Sequence, residues 1–166
     1  MARATLDLDE DLPFQRREWR CQRAGWGVFA LLVVAALLGL FGAGGPLARG
    51  HAESAGAPAV EIEYSRFVHR QTATPVHVRV AGPLPGAALE LWIERGFLAR
   101  QRLERIHPEP SAVAFGDGRF VYRFEVADPR GPFEIDLLLH PERTGRLQGR
   151  LGVGTRSATF DQYVLP

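Results

Sequence analysis

Residues 24–48 read AGWGVFALLVVAALLGLFGAGGPLA, a run without a single charge, bounded by Arg23 on one side and Arg49 on the other. A helix from Trp26 to Gly44 rises about 1.5 Å per residue and covers roughly 28 Å, close to the hydrocarbon thickness of a bilayer. Leu, Val and Phe fill its centre, and each favours insertion by roughly 0.3 to 0.6 kcal/mol. The expectation is one membrane crossing over residues 24–45. Two alternatives compete with it. A buried core helix would need a helical partner, and the rest of the chain offers none. A cleaved signal peptide would use the small residues around Gly50-His51-Ala52. The apolar run is longer than a signal core, and acidic residues (Asp7, Asp9, Glu10, Asp11, Glu18) precede it. The uncleaved anchor is therefore the reading adopted.

Upstream, residues 1–23 form a tail. Its first part, MARATLDLDEDL, is acidic and aperiodic, which predicts disorder. Pro13 suits a first helical position, because its missing N–H has no partner there anyway. From Pro13 onward the tail reads as a juxtamembrane basic helix, with Arg16, Arg20 and Arg23 along one side and Trp26 at the water–lipid boundary. These arginines precede the span, whereas Arg49 is alone just after it. The positive-inside rule then places the N-terminus in the cytoplasm and the C-terminal part in the periplasm of a bacterium with two membranes. Within the span, Ala35, Gly39 and Ala43 recur every fourth residue. Small residues so spaced admit a second helix closely, which suggests self-association or pairing with another integral membrane protein.

Composition narrows the function classes. In 166 residues the net charge is +1, which gives no electrostatic case for nucleic acid. Every cation is arginine. Cys21 is the single cysteine and precedes the span, so the part beyond it has no internal disulfide and no thiolate metal site.

Downstream of the span, residues 46–58 are small, polar and proline-bearing, and read as a linker. The hydrophobic period then changes to two. Val60, Ile62 and Tyr64 alternate with Glu61, Glu63 and Ser65; Val76, Val78 and Val80 alternate with His77 and Arg79. Leu89, Leu91 and Ile93 define a third strand, and Gly96–Ala99 a short helical turn. Further strands are expected at 101–106, 120–126, 133–139, 145–153 and 158–164, with Gly116-Asp117-Gly118 as a hairpin turn. Seven or eight short strands over residues 59–166 predict an all-β domain, an antiparallel β-sandwich of immunoglobulin-like type. The fold class is thus one N-terminal transmembrane α-helix followed by that domain.

Chemistry-bearing patterns are sparse. His51, His69, His77, His107 and His140 show no ligand spacing within one element. His69 and His77 approach one another if their strands pair, with Glu61 or Glu63 nearby. Ser65, Ser111 and Ser157 lack a nucleophile elbow, and Gly152-Val153-Gly154 lacks a P-loop lysine. Glu61, Glu63, Glu90 and Glu94 suit cross-strand pairing with arginine, Arg79 for instance. No catalytic residue, cofactor or metal site is expected, and the chain does not read as an enzyme. Trp92 falls on the polar face of its strand, either exposed as an anchor for a partner or covered by Arg95–Arg102.

Several short motifs carry a resemblance: FQRREWRCQRAGW (14–26), GLFG (39–42), ELWIERGFL (90–98), HPEP (107–110), HPERTGRLQG (140–149) and FDQYVLP (160–166). In these the chain resembles a group of uncharacterised small single-pass proteobacterial membrane proteins with a periplasmic β-rich domain. The resemblance implies topology and fold, and no activity. The expectation is a bitopic inner-membrane protein. Its outer domain serves another membrane protein as an interaction or accessory module, or else is a tethered ligand- or metal-binding protein.

Overall fold

The computed structural model describes residues 12–40, 45, 47–56, 58–84 and 86–166, with the backbone alone for 12–17. The acidic stretch 1–11 and Ala43 lie outside the described residues.

A single long helix, α1 (Leu12–Leu37), precedes the β domain. Its segment Glu18–Leu37 is 20 residues long with a mean hydropathy of 1.2, and none of it is buried. That is enough length and apolarity to cross a membrane, about 30 Å at 1.5 Å per residue. Trp26, Phe29, Leu31, Leu32, Val34 and Leu37 all stand bare on its surface. The helix was expected to run to Gly44, and it stops earlier for a local reason. Gly39 adopts φ +85°, its N–H reaches the Ala36 carbonyl, and the Leu40 N–H reaches back to Ala35. Those two bonds make a Schellman cap with glycine at the left-handed position. Gly39 therefore ends the helix.

The β domain comprises β1 (Arg49–Glu53), β2 (Val60–Ser65), β3 (Phe67–His69), β4 (Thr74–Val80), β5 (Ala88–Glu94), the turn of helix α2 (Arg95–Leu98), β6 (Gln101–His107), β7 (Ala112–Gly116), β8 (Arg119–Glu125), β9 (Phe133–Pro141), β10 (Gly145–Val153) and β11 (Arg156–Leu165). One sheet has the order β1-β2-β4-β9-β6, the other β3-β11-β10-β5-β8-β7. The first is antiparallel throughout. The second departs from the expected all-antiparallel pattern, since β3 lies parallel to β11, pairing Phe67 with Tyr163 and His69 with Leu165.

Period-two alternation builds the core. Val60, Ile62, Val76, Val78, Val80, Ile135, Leu137 and Leu139 point inward from the first sheet, and Leu89, Leu91, Ile93, Phe124, Leu151 and Phe160 from the second. Tyr64 and Phe160 bridge the sheets with ring centroids 4.8 Å apart, and Phe97 of α2 meets Phe160 edge-on at 5.2 Å. Such pairs add roughly 0.5 to 1.5 kcal/mol beyond the area they bury. The β7–β8 hairpin turns through Asp117 (φ 51°) and Gly118 (φ 71°), the two-residue form whose twist matches that of the strands.

The segment read as a linker holds β1, which pairs with β2 over its whole length, from Arg49 against Ser65 to Glu53 against Glu61. Gly50 makes the pairing close. It is buried, and a Cβ there would collide with the ring of Tyr64 directly opposite.

Candidate functional site

The outer face of the first sheet carries the polar half of each alternating strand. Register places one residue from each of its five strands in a row: His51 opposite Glu63, Glu63 opposite His77, His77 opposite Asp136, and Asp136 opposite His107. Imidazoles and carboxylates thus alternate across the whole width of the sheet. The neighbouring row holds Glu53, Glu61, Arg79 and Glu134. Side chains directly opposite one another on paired strands have Cβ atoms about 4.5 to 5.5 Å apart, so each member of a row stands beside the next.

The two rows line a cleft of about 590 Å³ that includes His51, Glu53, Glu61, Glu63, His77 and Asp136. Its floor is the sheet backbone at Ile62, Val78 and Ile135, whose side chains point the other way into the core. Within it, His77 Nδ1 is bonded to Asp136 Oδ1. A carboxylate only accepts, so Nδ1 carries a hydrogen, and in the neutral ring Nε2 is the nitrogen with the lone pair. Glu61 and Glu63 are held loosely, by Arg79 and Arg49 respectively, each at 3.8 Å and largely in solvent. Exposed pairs of this kind contribute little. Among the described residues, no three histidine, cysteine, aspartate or glutamate side chains already converge in a metal-binding arrangement.

A second pair lies on the same sheet toward its β6 edge. His140 meets Glu104 through Nε2, and its Nδ1 lies 3.4 Å from the Gln71 carbonyl.

The residues expected to act fall differently. His69 is on β3 in the other sheet, so β2 and β4 pair without bringing it to His77; His51 takes that place. Trp92 is buried, 6% exposed, and is no exposed anchor. Its Nε1–H donates to the Gly154 carbonyl at 2.9 Å, and the Arg119 guanidinium lies 4.2 Å from its ring centroid. The segment Arg95–Arg102 sends Phe97 into the core. Glu61 does pair with Arg79 as expected.

On α1, Arg20 and Arg23 are exposed, with the Arg23 guanidinium 4.2 Å from the Trp19 ring centroid. Arg16 lies within the helix backbone. Ala35 is helical while Gly39 is the cap beyond the helix end, so these two do not continue one helical stripe. The row itself was hidden in the sequence because His51 lay in an apparent linker and Asp136 in a strand far along the chain. Strand parity was its one available signal, since Glu63, His77 and Asp136 all occupy polar positions of period-two segments. No protein-family model and no curated protein sequence matches the chain.

Proposed function

We propose that this is a bitopic inner-membrane protein, with its N-terminus in the cytoplasm, whose periplasmic β domain serves another integral membrane protein as an interaction or accessory module. The observation that carries this reading is the bare surface of α1, apolar on every side from Ala24 to Leu37 and unburied over Glu18–Leu37. Water would oppose that exposure at roughly 25 cal/mol per Å², and lipid removes the cost. Arg20 and Arg23 lie in the helix's N-terminal half, where long side chains reach back to head groups. They also support the cytoplasmic assignment of that end. An immunoglobulin-like sandwich fits the β domain, since two sheets share one core and the chain passes repeatedly from one sheet to the other. The resemblance to small single-pass proteobacterial membrane proteins, read from the sequence motifs, would imply the same topology.

A topology reporter fused after Pro166 tests the orientation. A periplasm-dependent reporter should be active and a cytosol-dependent one silent; the reverse pattern sinks the proposal. Crosslinking in intact membranes followed by detergent extraction should recover α1 or the β domain joined to one membrane protein in fixed ratio. Recovery of the free monomer alone removes the accessory role.

A second reading, a tethered ligand- or metal-binding protein, is favoured by the polar cleft over the first sheet and its row of histidines and carboxylates.

A further inference from the structure

We propose that the outer face of the first sheet binds one divalent first-row transition-metal ion, held by His51, Glu63 and His77, with Asp136 positioning His77. This deepens the second reading above and does not depend on membrane orientation or on a partner protein.

Three observations carry it. First, β1 and β4 flank β2, so His51 and His77 stand on either side of Glu63. With strands about 4.8 Å apart, the two histidines are separated by roughly 10 Å at the backbone. Two imidazoles leaning toward one another can close that gap on one ion, with bonds of about 2.0 to 2.1 Å and a carboxylate oxygen rising from below. Second, His77 already has the arrangement that metal-binding histidines show: one ring nitrogen on a carboxylate and the other without a hydrogen-bond partner among the described residues. Asp136 thereby sets both the tautomer and the ring plane before any ion arrives. Third, the cleft above the row is open to solvent and rimmed by further carboxylates, Glu53, Glu61 and Glu134. These outnumber Arg79 in the same row and draw a cation toward the ligands.

The ion does the final gathering. His51 is exposed and Glu63 partly so, and both turn toward His77 without disturbing the core. Glu63 exchanges its loose contact with Arg49 for the metal. Two imidazoles and one carboxylate, with remaining positions left to water, suit zinc or copper(II) and not the thiolate-seeking copper(I). His107 also faces Asp136 and lies on the far side of it from the ion.

Isothermal titration of the untagged full-length chain in detergent micelles with zinc chloride, repeated with copper(II), tests the site. One ion per chain should bind. His51→Ala and His77→Ala should each weaken binding at least tenfold, and Asp136→Asn by about 10- to 100-fold, the usual effect of removing such a carboxylate. His69→Ala, on the other sheet, and Cys21→Ser, on α1, should bind like the parent chain. Circular dichroism of each variant should match the parent, since the substituted residues on the sheet are at the surface. No saturable binding, parent-like binding by His77→Ala, or loss of binding in His69→Ala or Cys21→Ser would overturn the assignment.

Discussion

At the scale of single residues, two buried side chains of the β domain invite a test, Gln101 and Tyr122. Gln101 is 4% exposed at the start of β6, and neither side-chain amide atom has a hydrogen-bond partner among the described residues. An unsatisfied buried polar group costs about 1 to 3 kcal/mol, and an apolar side chain of like shape removes that cost. Gln101→Met should therefore raise stability by about that amount, read as a higher urea midpoint with an unchanged slope; a lower midpoint would mean that an ordered water satisfies the amide. Tyr122 is pushed above its ordinary value of 10.0 by burial. Its folded form holds the proton more tightly than the unfolded chain does, so its contribution is intact below about pH 10 and is lost as the pH rises above that value. Tyr122→Phe should flatten the loss of thermal stability above pH 10 and leave the neutral range unaffected, as followed by melting curves across that interval.

Among the elements, legibility tracked side-chain contrast. Segments such as Val76–Val80 and Phe120–Glu125 declared themselves because inward apolar residues alternate with charged ones, and burial follows the same parity. The three strands that escaped have no such contrast. β7 reads AVAFG and is exposed along its length, β3 is three residues long, and β1 is held by backbone pairing and by Tyr64 lying over Gly50. The end of α1 was misread for a related reason: Gly39 fits a small-residue stripe and a helix cap equally well on paper, and φ alone separates them. Of the candidate site, the individual residues were visible and their company was not, because cross-strand register is a property of the pairing and not of any one segment. Gly50 offers a test at this level. Gly50→Val drives a side chain into the Tyr64 ring, which should cost about 1 to 3 kcal/mol as an overpacked contact does. It should loosen β1 specifically, seen as faster amide exchange across β1 and its β2 partner while β10 and β11 stay protected.

Taken as a whole, the molecule joins a solvent-bare apolar helix to a domain with one core shared by two sheets. The order of strands in the second sheet makes β11 an interior member, seated between β3 and β10. It supplies Ala158, Phe160 and Val164 to the core, and Gln162 reaches across to the Ser65 carbonyl. A chain ending at Thr155 loses all of this together and leaves β3 and β10 each with an open edge. Such a truncation should give a domain without cooperative melting and with exposed apolar surface that binds a hydrophobic dye; a sharp transition would show β11 to be dispensable. The same seating has a consequence for biosynthesis. Since the ten residues of β11 wedge between a strand made early and one made just before, the sheet cannot close until Arg156–Leu165 have been synthesised. Until then the emerging polypeptide is an unfinished weave that must be kept from knitting to its neighbours.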